Sequence, residues 1–168
     1  MPAKKKLCIV QSILTNYRIP LFRDLANSYH VDIIYSPIEK KLGFDELAPH
    51  DSEELRYVKV RTYKPFSRRI GMYQSGIIKY MFRERPDSLI IFANPRFLSF
   101  WTVLVFGKLM GIAVHAHGHG LFKKLKLNIF YKLMYKSILA LVKTYICYNS
   151  FVKESFIKHG FSANKLSV

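Results

Sequence analysis

Short apolar runs at residues 7–13, 31–35, 88–92, 112–117 and 144–148, with a stretch of alternating character over 55–63 that reads as a further strand, are interleaved with longer segments of helical spacing, and this leaves few folds open. Each run is too short for a buried helix and reads as a strand hidden on both faces of a parallel sheet. Between them, Leu21, Phe22, Leu25, Ala26 and Tyr29 predict a helix from Ile19, with Pro20 in its first turn, where a missing N–H does no harm. Tyr73, Ile77, Tyr80 and Met81 predict a second, ending before Pro86. Asn94 and Pro95 supply an N-cap and a first helical position for a third that Gly111 closes. A fourth is expected over 121–141, and a fifth is capped by Asn149 or Ser150 and stops at Gly160. Residues 165–168 begin another strand. Strands alternating with helices in this way predict an α/β fold: a doubly wound parallel sheet with helices on both faces.

Half of the residues are hydrophobic and 23% are charged, which excludes a disordered chain. The net charge of +16 calls for anionic surroundings: phosphate esters, nucleic acid or an acidic membrane face. Cys8 and Cys147 each sit inside an apolar run and read as buried free thiols, in keeping with a reducing compartment. The basic start is followed by too short an apolar run for a signal peptide. Residues 97–114 have the length of a membrane span, but Lys108, Gly107 and Gly111 interrupt them, and a core helix followed by a core strand is the better reading. Residues 37–54 hold most of the acidic side chains and read as a long surface loop, and 64–71 as a basic one.

The chemistry is bounded first by what is missing. Between Asp87 and Glu154 there is no carboxylate, so paired-carboxylate hydrolysis is poorly supported, and no Asp-x-Asp cluster suggests a hard-metal site. Neither a phosphate-cradling loop nor the dinucleotide glycine fingerprint occurs, and no nucleophile elbow is present. What remains is the run Ile-Ala-Val-His-Ala-His-Gly-His-Gly over 112–120, a strand leading into a turn. In an open α/β sheet such a turn lies at the carboxyl end of a strand, where ligands bind. His117 is the principal candidate for chemistry, against the plainer reading of a histidine hydrogen-bonded to backbone. His115, His117 and His119 alternate, and a zinc site is the minor reading, because no carboxylate stands near to orient the rings. On the helix expected from Leu121, Lys124, Asn128, Lys132 and Lys136 recur every four residues with Lys123 and Lys126 alongside. Phe122, Leu125, Ile129, Phe130, Leu133 and Met134 are expected on the opposite, sheet-packing side. The lysines form either a solvated outer face or a surface for an anionic membrane.

Several weak motifs together resemble a known family. They are Tyr17-Arg18-x-Pro20-Leu21-Phe22 after the first strand, Arg85-Pro86-Asp87 before another, Val114-x-x-His117-Gly118 at a strand end, and Gly160 followed by Lys165-Leu166-x-Val168. In order and spacing they resemble the N-terminal, Rossmann-like domain of bacterial GT-B glycosyltransferases of family 4, across essentially the whole chain. The resemblance implies one such domain over 1–168, binding a glycan or lipid-linked acceptor in cell-surface polysaccharide or lipopolysaccharide assembly, while a second domain, absent from this sequence, binds the nucleotide-sugar donor. It implies His117 as the catalytic residue, a cleft lined by Asn16, Tyr17, Arg18, Asn94, Arg96, Gly118 and His119, no metal and no other cofactor. It also implies a cytoplasmic protein held peripherally on the inner face of the membrane by Lys123, Lys124, Lys126, Lys132 and Lys136. Leu14-Thr15-Asn16 stands where many members have a Gly-Gly turn. Taken alone, the chain is expected to have little transferase activity.

Two further readings stay open at this level. One is a basic module without enzymatic activity that binds nucleic acid or anionic membrane; nucleic acid is disfavoured because the aromatics fall mainly in apolar runs rather than among the basic residues. The other is one subunit of a split glycosyltransferase, completed by a partner that carries the donor half.

Overall fold

The computed structural model describes residues 4–12, 14, 16–36, 54–63, 71–121 and 127–168. Among them, seven strands form one parallel sheet in the order β3-β2-β1-β6-β7-β8-β9. These are β1 (Lys5–Val10), β2 (Tyr29–Tyr35), β3 (Leu55–Lys59), β6 (Ser88–Phe92), β7 (Ala113–Gly118), β8 (Thr144–Cys147) and β9 (Leu166–Ser167). The chain winds outward from β1 to β3, then returns across the sheet to β6 and winds the other way. The predicted Rossmann-like, doubly wound architecture is therefore present, and the order reverses between β1 and β6.

The helices are α1 (Ile19–Ala26), α2 (Ile77–Glu84), α3 (Leu98–Leu109), α4 (Ile129–Leu141) and α5 (Ser150–Lys158). They flank both faces, but unevenly. Phe22 and Ala26 of α1 pack on Leu7, Ile9, Val31, Ile33 and Leu55 of β1–β3. The other four helices bury Tyr80, Met81, Phe100, Leu104, Ile138 and Phe156 against the opposite face, on residues such as Cys8, Val10, Leu89, Ile91, Val114, Ala116 and Tyr145. Along β6, β7 and β8 burial alternates strictly, so that Ile90, Phe92, His115, His117, Thr144 and Ile146 stay half-buried on the α1 side. In parallel register, Phe92, His117 and Ile146 stand in one row of that face.

Several boundaries differ from the sequence-based expectation. The run expected as one strand over 55–63 breaks into β3 and β4 (Thr62–Tyr63), and β4 forms an antiparallel ribbon with β5 (Tyr73–Gln74). Tyr73 thus belongs to the ribbon and not to α2. Asn94 and Pro95 do not open α3. The Asn94 side chain accepts the Arg96 N–H at 3.2 Å, its carbonyl accepts the Phe97 N–H at 2.9 Å, and this separate turn delays the helix to Leu98. Leu121 lies in a turn, and the fourth helix begins at Ile129 because the Asn128 side chain caps it through the Tyr131 N–H. The loop expected over 37–54 falls almost wholly outside the described residues, as does 64–70. Both cysteines are free and buried. No helix among the described residues is long and apolar enough to cross a membrane.

The return segment α2 is held by a half-buried ionic cluster. Arg56 of β3 donates from Nε and Nη2 to the two Asp32 oxygens of β2 at 2.9 and 2.6 Å, and the Tyr80 hydroxyl of α2 donates to Asp32 Oδ2. Lys6 of β1 lies 3.5 Å from Asp32 and bonds Glu84 of α2, which Arg56 also approaches at 3.2 Å. The Lys6 bond, and after it those from Arg56 and Arg83, hold the Glu84 carboxyl down at about 2 against an opposing effect of burial. Because that value lies below the ordinary one, the stabilisation Glu84 gives is present above pH ~4.3 and is lost as pH falls toward its folded value. Removing one member of such a cluster leaves its partners uncompensated. We expect Asp32→Ala to lower the unfolding free energy by about 3–5 kcal/mol, read as the shift of the urea midpoint.

Candidate functional site

The strand-order reversal sets β1 and β6 side by side with their connections running to opposite sides, which opens a crevice above their carboxyl ends. Val10, Ser12, Gln74, Ile91, Phe92, Phe97, Ser99 and Phe100 line it, and its volume of about 10 Å³ has room for one water. Any larger ligand therefore lies above the strand ends. Polar side chains close the crevice floor. Gln74 Nε2 donates to the Gln11 carbonyl at 3.1 Å and to Ser36 Oγ at 2.8 Å, while the Gln74 N–H donates to Ser99 Oγ at 2.6 Å. Thr62 adds a 2.7 Å bond to Ser36. All four of Gln11, Ser36, Gln74 and Ser99 are buried, so these bonds offset a desolvation cost and make the floor rigid.

Gln11 also reaches outward. Its side-chain oxygen accepts from Arg18 Nη1, and Arg18 Nε donates to the Tyr17 hydroxyl at 3.2 Å, with the guanidinium 5.4 Å from the Tyr17 ring centroid. Arg18 is thereby aimed from the 3-10 turn Asn16–Arg18 that precedes α1. Across from it, His117 projects from the penultimate position of β7. Its ring lies 6.4 Å from Phe92 and 6.2 Å from Tyr148, and His119 lies against Tyr148 at 4.5 Å between ring centroids. The Tyr148 N–H donates to the Gly118 carbonyl at 3.3 Å and ties the two strand ends together. Burial, and then the nearby Arg18 and His119, push the His117 imidazolium below its ordinary range, so the ring is neutral at pH 7. His115, one step deeper on the same face, is depressed by burial and by Lys143.

Of the residues named from sequence, the structure gathers Arg18, His117 and His119, with Tyr17 stacked on Arg18. Asn16 contributes backbone to the turn, and its side chain lies outside the described residues. Asn94 is occupied in its own turn at the end of β6, and Arg96 is exposed beside it. The glycines serve packing. A Cβ at Gly118 would stand 3.1 Å from Ala93 Cβ and 3.2 Å from the Tyr145 hydroxyl, and Gly120, at φ +50°, has Phe156 Cε2 only 2.4 Å from where its Cβ would be. Among the described residues no three of His, Cys, Asp and Glu gather as a metal site would need. Lys132 and Lys136 are exposed on α4, while Lys123, Lys124 and Lys126 lie outside the described residues. Sequence reasoning missed Gln11, Gln74, Phe92 and Tyr148. Only Gln11, a polar residue inside the otherwise mostly apolar run 7–13, carried a local signal.

Two outcomes are expected. In an NMR titration of the histidine ring carbons, His117 should protonate below pH ~6.5, and Arg18→Gln should raise its midpoint by removing a nearby cation. Gly120→Ala should lower the melting temperature more than Gly111→Ala, where nothing stands within 4 Å of the added Cβ, because it combines an unfavourable φ with a clash. Overpacking of this kind costs about 1–3 kcal/mol.

No family model matches the chain, and no curated protein does either. Solved structures do. The UDP-N-acetylglucosamine 2-epimerase of Rickettsia bellii superposes with a TM-score of 0.58 at 10% identity, over 98% of this chain and 44% of its own. The UDP-GlcNAc 2-epimerase of Methanocaldococcus jannaschii gives 0.59 at 16%, over 97% and 45%. That of Neisseria meningitidis, bound to UDP-GlcNAc, gives 0.57 at 11%, over 97% and 45%. The chain spans a little under half the length of each. At such identities the likeness establishes the fold, a GT-B-like half domain.

Proposed function

We propose that the chain is the acceptor-side half of a GT-B-type glycosyltransferase that uses no metal. It works with a second domain or a separate subunit holding the nucleotide-sugar donor, and its acceptor is a glycan or lipid-linked glycan at the cytoplasmic face of the membrane. The observation that carries this reading is a half-buried His117 at the carboxyl end of β7, beside a cation, Arg18, that Gln11 holds in place; burial and that cation both disfavour the imidazolium.

A neutral imidazole accepts a proton, and a fixed guanidinium stabilises negative charge. In the proposed step an acceptor hydroxyl forms the new bond to the anomeric carbon of the sugar. The bond from that carbon to the nucleotide's phosphate oxygen breaks, the nucleoside diphosphate leaves with the electron pair, and the hydroxyl proton passes to His117. Arg18 faces the charge that develops. Lys132 and Lys136 attract the acidic lipid surface, each adding roughly 1 kcal/mol.

The solved structures favour a second reading, in which the half domain belongs to an enzyme that isomerises UDP-GlcNAc. The two are separated by product. The chain is incubated with UDP-GlcNAc and a panel of methyl glycosides, with and without the polypeptide that supplies the donor half, and the sugars are followed by NMR. We expect no turnover by the chain alone, transfer to a glycoside once the donor half is present, and a loss of about 10²–10⁴-fold in transfer with His117→Ala. Formation of an isomeric nucleotide sugar without transfer would establish the second reading instead.

A further inference from the structure

The stretch 97–114, apolar enough to have the length of a membrane span, folds into a helix of 12 residues followed by β7. A helix apolar all round is ordinarily buried all round. On α3, Phe100, Val103 and Leu104 face the core, but the outer stripe is apolar too, with Leu98 42%, Val105 43% and Leu109 76% exposed. The neighbouring helices of the same layer repeat this. Phe82 of α2 is 51% exposed and touches Phe106 of α3 edge to face at 6.0 Å. On α4, Ile129, Phe130 and Leu133 are 72%, 67% and 55% exposed, contrary to the expectation that they pack on the sheet. Asn128 caps the helix, and Tyr135, Ile138 and Leu139 face inward instead.

The charges around these side chains are of one sign. Lys79, Arg83, Lys108, Lys132 and Lys136 are exposed on the three helices. Their one acidic residue, Glu84, binds Lys6, Arg56 and Arg83, which leaves Lys79, Lys108, Lys132 and Lys136 without an acidic neighbour on these helices. We infer that the outer surface of α2, α3 and α4 is a membrane-docking face, with Leu109, Ile129 and Phe130 entering the boundary between headgroups and acyl chains of an anionic bilayer. Exposed aliphatic and aromatic side chains ringed by lysine and arginine match that boundary. A second copy of the chain is a poorer occupant, since it would bring the same cations face to face. This inference rests on the membrane part of the reading above and extends it from two lysines to an apolar surface across three helices.

The test is co-flotation of the chain with vesicles of phosphatidylcholine alone and of phosphatidylcholine with an equal part of phosphatidylglycerol, with thermal unfolding as a control for folding. Binding to the anionic vesicles is expected. Leu109→Ser and Ile129→Ser should each weaken it about tenfold with no loss of melting temperature, since each removes buried hydrocarbon from the lipid only. Leu21→Ser, equally apolar and 56% exposed but on the sheet's other side, should leave it unchanged. The inference is overturned if the anionic vesicles do not bind, if Leu21→Ser weakens binding as much as Leu109→Ser, or if Leu109→Ser instead dissolves a dimer found by light scattering. Glycoside binding at His117, measured on the same preparations, separates failure of this face from failure of the proposed function.

Discussion

Everything at the carboxyl end of the sheet depends on how the chain gets back from β3 to β6. That return crosses β2 and β1, and α2 carries it. Asp32 holds α2 there, by receiving Tyr80 from the helix while binding Arg56 of β3 and lying 3.5 Å from Lys6 of β1. One carboxylate therefore links the helix to the three strands it must pass. The cluster lies at the deeper end of those strands and touches no part of the site. Its role is to fix the reversal that sets β1 beside β6 and opens the crevice between them. Such ion pairs contribute little net stability against an apolar alternative, but a single missing partner is costly.

The uneven distribution of helices decides where a ligand can approach. α1 covers the face of β1–β3, and its N-terminal turn ends in Tyr17 and Arg18 at the border of that cover. Beyond the border, the same face of β6–β8 carries Phe92, His117 and Ile146 in one half-buried row. The candidate site is this edge, with Arg18 as its wall, the row of side chains as its floor, and Tyr148 with His119 as its rim. The opposite face is closed by α2–α5, whose outer surface combines apolar side chains with lysine and arginine. Site and docking face thus belong to different sides of one sheet, and the carboxyl ends of the strands connect them.

Much of this was legible in the sequence because the signals were local. Apolar runs of strand length and helical spacing gave the α/β class, and the break after His117 marked a strand end with no reference to the rest of the chain. Caps were less dependable. Asn149 accepts the Val152 N–H at 3.0 Å as expected, whereas Asn94 offers the same sequence signal and makes an isolated turn. The difference lies in tertiary pairing, since the Leu98 N–H is taken by the Met72 carbonyl at 2.9 Å from a distant loop. The rotation of α4 was misread from its spacing. Lys132 and Lys136 are expected opposite Ile129 and Leu133, yet Ile129 and Lys136 are seven residues apart and Leu133 and Lys136 three, so at helical spacing they share a face and lie outside together while Tyr135, Ile138 and Leu139 turn inward. Gln74 reaches Gln11, and Tyr148 reaches His117, only through contacts between distant segments, which no periodicity reports.

On the proposed function, the edge between Arg18 and His117 holds an acceptor sugar and not the nucleotide. The most direct measurement is NMR of the labelled chain, following the histidine and tyrosine ring resonances while methyl glycosides and, separately, UDP are added. We expect saturable shifts of His117, His119 and Tyr148 with at least one glycoside, lost in Tyr148→Ala, and no comparable shift with UDP. Saturable shifts of the same rings with UDP, and none with any glycoside, would contradict it.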